Sequence, residues 1–141
     1  MSVTNREIYT GALSLIGEMP NGVNIEDYEE RAPYLIASFC SSNSSLDKRI
    51  RRMESIPAGS RFSPVYLPLE SEFPLCEKLI SAAELYTAAM LILDEDNKLS
   101  DSLYDKYCDS VASLSAIYYA KDHTLTPIAD CGSIKDCYFF D

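Results

Sequence analysis

Histidine occurs once in these 141 residues, at His123, and tryptophan not at all. Acid–base or nucleophilic catalysis needs a base converging on a reacting group, and one histidine leaves few ways to build that arrangement. A Cys–His pair between His123 and Cys108, Cys131 or Cys137 is the combination on offer; a surface histidine is the simpler reading. The five glycines never cluster, so no Gly-rich loop is present to cradle a phosphate. The longest apolar run, Leu85 to Leu93 around Thr87, falls far short of the roughly 20 residues that span a bilayer. No apolar stretch opens the chain either. Arg6 and Glu7 stand where that of a signal peptide would begin, which leads to the expectation of a protein made and kept in a cytoplasm, with no membrane partner.

Cations are in deficit, 12 against 22 acidic residues, for a formal charge of -10. Such a surface repels nucleic-acid phosphates and argues against a DNA-coating role. The one basic cluster, Lys48, Arg49, Arg51 and Arg52 around Ile50, reads either as a solvated helix end complementing terminal carbonyls or as a phosphate site, the former being simpler. The five cysteines are odd in number and scattered, as free thiols are. Cys131 and Cys137 lie too far apart for a tight zinc knuckle. Asp94-x-Asp96 starts like a calcium loop, but Lys98 occupies a ligand position and Leu99 the place of the turn glycine. No metal and no cofactor are expected, and no catalytic residue can be assigned.

With 47% hydrophobic and 24% charged residues, the chain has the composition of a folded domain large enough to need no disulfide or metal staple. Its periodicity predicts a mainly α protein, a small bundle of about four helices with a Pro-rich extended loop at about 56–73 and an extended C-terminal tail. The helical domain is expected over 1–120 and the tail over 121–141. Thr4-Asn5-Arg6-Glu7 is a capping box before the first helix, which Gly17 and Met19-Pro20-Asn21-Gly22 end. A second helix is read from about Asp27, with Pro33 tolerable if the helix begins near Glu30 and kinking it otherwise. Whether it continues through Ser41–Ser45 to Met53 as one helix or two stays open. Val65-Tyr66-Leu67 suits a short edge strand between Pro64 and Pro68. Pro74 opens a third helix that is apolar nearly all round, the mark of a central element, with Leu79, Ala83, Tyr86, Met90 and Leu93 in the core. Ser100 is read as the N-cap of the fourth.

Two features stand apart. Asp101, Asp105 and Asp109 share one face of the fourth helix, where like charges cost about 0.2–0.5 kcal/mol per pair; an ordinary wet face is the alternative. Ile134, Tyr138, Phe139 and Phe140 give the tail an apolar character unusual for such a segment, suited to docking on a partner or on its own core.

Several blocks then carry a resemblance. They are Asn5-Arg6-Glu7-Ile8-Tyr9 with Ala12-Leu13 and Ile16-Gly17-Glu18, and Asp27-Tyr28-Glu29-Glu30-Arg31-Ala32-Pro33. Phe73-Pro74-Leu75 before the alanine-rich third helix and Ser100-Asp101-Ser102-Leu103-Tyr104-Asp105-Lys106-Tyr107 complete them. Together, over most of residues 4–118, they resemble the head-tail connector (adaptor) proteins of tailed-bacteriophage necks, encoded beside the portal gene. The resemblance implies a helical subunit that assembles with itself in a ring, usually twelvefold, between the portal protein and a downstream neck or tail-completion protein. DNA would pass through the ring without specific binding, and the protein would reside in the virion neck after assembly in the host cytoplasm. Asp101, Asp105 and Asp109 would then line the channel, and Ile134, Tyr138, Phe139 and Phe140 would bind a neighbouring subunit or the portal. The rival expectation is a small acidic helical regulator or antitoxin-like protein that binds a basic partner.

Overall fold

The computed structural model describes residues 2–18, 22 and 25–123, the last three by backbone alone. Helix α1, Asn5–Leu15, starts from the predicted capping box: the Thr4 hydroxyl accepts the Glu7 N–H and the Glu7 carboxylate accepts the Thr4 N–H, both at 3.3 Å. It stops at Gly17, whose φ of 78° is the left-handed conformation that glycine adopts without a Cβ penalty. There the Glu18 N–H reaches back to the Leu13 carbonyl, satisfying a helix-end acceptor. Ile8, Tyr9, Ala12 and Leu13 form its buried face.

The open stretch after Asp27 forms two helices, α2 (Ile25–Ser42) and α3 (Ser44–Met53). Asn43 divides them: its side-chain amide donates to the Phe39 carbonyl at 2.9 Å and to the Tyr107 hydroxyl at 3.2 Å. Because α2 begins at Ile25, Pro33 lies inside the helix and not in its first turn. Proline has no N–H to give the preceding turn. Its own carbonyl accepts the Leu67 N–H at 3.1 Å, so the long loop crosses α2 at the proline.

That loop, from Ile56 to Cys76, is a strap. Its backbone bonds the segments it crosses: the Asn5 and Arg6 N–H groups donate to the Ser71 and Leu69 carbonyls, and the Phe73 N–H to the carbonyl of Val3, just ahead of α1. No strand forms at Val65–Leu67. Ser63 Oγ accepts the N–H groups of Val65 and Tyr66, and Leu67 donates to α2, so no donors remain for a ladder. Among the described residues the only β pairing is an isolated antiparallel bridge between Thr4 and Glu72.

The third predicted helix starts later than Pro74. Phe73 and Cys76 stay extended because Val3 and the Asp47 carboxylate take their N–H groups, and a 3₁₀ turn at Glu77–Leu79 leads into α4, Ile80–Leu91. Helix α4 is central, packing on α1, α2 and the last helix. Leu79, Ala82, Ala83, Thr87, Ala88, Ala89 and Leu91 are buried, and the small residues let neighbouring helices approach closely. Of the core positions predicted there, Tyr86 and Met90 are half-buried and Leu93 is 44% exposed, since the helix ends before the period reaches it.

Ser100 is not the cap of the next helix. Asp96 caps it, accepting the Leu99 N–H at 3.0 Å, while the buried Ser100 hydroxyl donates to the Ala89 carbonyl at 2.8 Å and ties the last two helices together. Helix α5, Asn97–His123, is 27 residues long. That is about 40 Å at 1.5 Å per residue, and it runs beyond the tail boundary expected near residue 120. Leu103 and Tyr118 are buried and Tyr107, Val111 and Leu114 half-buried along its inner face. At the joint of α2, strap, α4 and α5, Phe39 is fully buried, with the rings of Phe73, Tyr86 and Tyr107 centred 6.4, 5.9 and 5.8 Å away.

Candidate assembly surface

Among the charged side chains one set joins separate elements and another lies on outward helix faces, and burial alone does not separate them, since Glu70, which pairs with Arg6, is 76% exposed. One holds the fold together. Asp47, 5% exposed, accepts both oxygens' worth of contact from Arg51 Nε, at 3.1 and 3.0 Å, and takes the Cys76 N–H at 2.7 Å. Arg51 then donates to the Pro57 carbonyl at 2.7 Å and the Pro74 carbonyl at 3.2 Å, gripping both ends of the strap. Arg6 joins α1 to Glu29 of α2 and Glu70 of the strap at 2.9 and 2.6 Å; these two bonds hold its guanidinium well above its usual range. Arg31 donates to the Met90 carbonyl at 2.9 Å and the Leu91 carbonyl at 3.3 Å, complementing the C-terminal end of α4. The Tyr28 hydroxyl bonds Glu95, and the Tyr118 hydroxyl bonds Glu54 at 2.5 Å. Sequence inspection missed the Asp47–Arg51 centre. The i,i+4 spacing was there to be seen, but the burial that makes the pair structural was not.

The second population faces outward. Asp101, Asp105 and Asp109 are all exposed on one face of α5, and no ion pair engages them among the described residues. Lys48 and Arg52 are exposed on α3 with the same i,i+4 spacing, one position round the helix from Asp47 and Arg51. Of the basic cluster, then, Arg51 is internal and Arg49 lies with its guanidinium carbon 5.5 Å from the centre of the Tyr119 ring. Beside them a shallow depression of about 260 Å³ is floored by Ile56, Ala58, Gly59 and Phe62. Further along the strap, Tyr34 and Tyr66 meet edge to face at 5.0 Å beside Val65, which is 63% exposed. They overlook a groove of about 640 Å³ whose charged walls are Arg6, Glu29, Glu30, Arg31 and Glu70.

Reactive groups do not converge in the described part. Cys40, Cys76 and Cys108 are free; burial pushes the Cys40 thiol far above its ordinary range and, with Asp47 nearby, pushes Cys76 up to about 11, away from the nucleophilic thiolate. Among the described residues no group of three or more His, Cys, Asp or Glu is placed to hold a metal ion, and no helix is long and apolar enough to cross a membrane. The His123 side chain, Cys131 and Cys137 of the weighed Cys–His pairs lie outside the described residues, as do Ile134, Tyr138, Phe139 and Phe140. Compared with protein-family models, curated proteins and solved structures, the chain matches none.

Proposed function

We propose that this chain is a structural subunit of a tailed-phage neck, a connector that assembles in a ring between the portal and the downstream neck or tail-completion protein, and acts by assembly and not by catalysis. The observation that carries the proposal is the division of charge just described. The ionic groups at helix joints are engaged in holding the body, whereas α5 leaves a charged, evenly spaced face outside it. A protein with that surface is built to be contacted. The blocks of phage-connector resemblance support the same reading, because they supply the joints: Arg6, Tyr28, Arg31 and Phe73 each tie separate elements together. A net charge of -10 also suits a conduit wall, which must not hold passing DNA.

The test is to co-express the chain with a tailed-phage portal protein and to image the product by electron microscopy. A ring of this chain seated on the portal is the expected result. A chain that ignores the portal and instead forms a stoichiometric complex with a small basic protein would replace this proposal by the regulator or antitoxin-like reading, to which the exposed carboxylates of α5 are equally suited.

A further inference from the structure

We infer that the segment Cys137-Tyr138-Phe139-Phe140 docks on its own molecule, against the first limb of the strap, pairing with that limb's free backbone edge and setting aromatic rings over Ile56 and Phe62. This contact stands whether or not the chain forms a ring. Residues 56–63 of the strap run without a turn or a bend. Both ends of the limb are held: Arg51 donates to the Pro57 carbonyl at 2.7 Å and Ser41 Oγ to the Pro64 carbonyl at 3.3 Å. Between them, the N–H groups of Ala58, Gly59, Ser60, Arg61 and Phe62 find no acceptor among the described residues, and their carbonyls no donor. The rest of the strap differs, since its Val65, Tyr66 and Leu67 N–H groups and its Leu69 and Ser71 carbonyls are all taken. A straight run of free backbone groups is an edge on which an extended segment can pair.

The chain itself supplies a fitting occupant. Helix α5 finishes beside this limb, because the Tyr118 hydroxyl bonds Glu54, which caps α3 two residues ahead of Ile56, and Arg49 of α3 lies by the Tyr119 ring. Residues 124–141, outside the described part, follow from there. Tyr138 comes 15 residues after His123, a reach of up to about 50 Å, so length sets no obstacle. Attachment to the same molecule also keeps the segment at an effective concentration on the order of millimolar. Tyr138, Phe139 and Phe140 are strand formers, and in an added strand their side chains alternate between two faces. In either register at least one phenylalanine or tyrosine ring faces the depression of about 260 Å³, where Ile56 is 36% exposed and Phe62 half-buried. Charge agrees with this placement. Asp136 and Asp141 bracket the apolar segment, and the rim of the depression carries Lys48, which is exposed and has no partner among the described residues. Arg51 and Arg52 on that rim are already engaged, and the docking asks neither to change its contacts.

Hydrogen exchange of the full chain, read amide by amide by NMR, tests the contact at residues 58–62. An amide without an acceptor exchanges nearly as fast as in an unstructured chain, whereas a paired segment should slow every second amide of the limb about tenfold or more. Two altered chains complete the experiment, Phe139→Ser/Phe140→Ser and one ending at Ser133. Both should lose the protection at the limb, while amides within α4 stay protected and show that the fold is intact. In the full chain the protection should persist through roughly twentyfold dilution, as an intramolecular contact requires. Limb amides that exchange freely in the full chain, or protection that survives either alteration, would overturn the inference. Protection that fades on dilution would overturn it as well, by assigning the segment to a second copy.

Discussion

Asp47, in the first turn of α3, and Asp105, within α5, are the same residue type on helices, and each has an arginine or an aspartate one turn away. Asp47 on α3 is buried, bonded to Arg51 and to the backbone of the strap. Asp105 on α5 is exposed between two like charges. What separates them is which side of the helix meets the body, and this decides whether a carboxylate fastens the fold or stands in solvent. The contrast is repeated within α3 alone. A rotation of one residue takes the pair Asp47–Arg51 to Lys48–Arg52, and moves it from the strap joint to solvent.

The contrast is broken most forcefully at its buried end. Asp47→Ala leaves Arg51 Nε and the Cys76 N–H without their acceptor and the guanidinium without its counter-charge, and removal of one partner from a buried ion pair costs about 3–5 kcal/mol. Denaturant unfolding should show the midpoint falling by that amount with the slope unchanged. A loss below 1 kcal/mol would mean that the strap does not depend on this centre.

A smaller effect is expected at Ser100, which is buried on the inner side of the helix that carries Asp105. Ser100→Ala removes the donor to the Ala89 carbonyl and should cost about 1–3 kcal/mol in the same measurement. If Ser100 were a helix cap, replacement by glycine would restore most of the loss; as a cross-link it should not.

Glu84 sits between the two extremes, half-buried on α4, its carboxyl directly where a side chain on Gly11 would have to go. Burial raises its carboxyl above the usual carboxylate range. The folded protein therefore holds this proton more tightly than the unfolded chain. The resulting stability is complete below the unfolded value of about 4.3 and is lost as pH rises through the raised folded value. Glu84→Gln should accordingly be more stable than the unaltered chain at neutral pH, with the advantage shrinking toward about pH 4. Parallel curves over that range would show that the carboxyl is solvated.

The least effect on the isolated molecule belongs to Asp105→Ala. It relieves repulsion from Asp101 and Asp109, so stability should change by less than about 0.5 kcal/mol, in the favourable direction. A large loss would place Asp105 among the fastening carboxylates and remove the basis of the comparison.

Local chemistry explains where the sequence was sufficient. The capping box at Thr4, the stop at Gly17, the helical class and the centrality of the alanine-rich helix rest on contacts within a few residues or on 3.6-residue periodicity, and all are legible in the chain itself. The spacing of Asp101, Asp105 and Asp109 was equally plain, because an exposed stripe requires no partner to be seen.

Other features depended on groups far apart in the chain. Asn43 ends α2 through the Phe39 carbonyl and the Tyr107 hydroxyl, Pro33 lies inside a helix where Leu67 meets its carbonyl, and Pro74 fails to start a helix because Val3 and Asp47 hold the neighbouring N–H groups. Ser100 has a cap's composition but a cross-link's position. Propensity ranks what a residue does when nothing else competes for its donors and acceptors. Sequence therefore determined that this protein is helical, acidic and marked by regularly spaced charges. Only the tertiary structure decided which of those charges are enclosed and which remain outside, because burial is a property of how helices pack and a rotation of one residue about a helix axis is enough to reverse it.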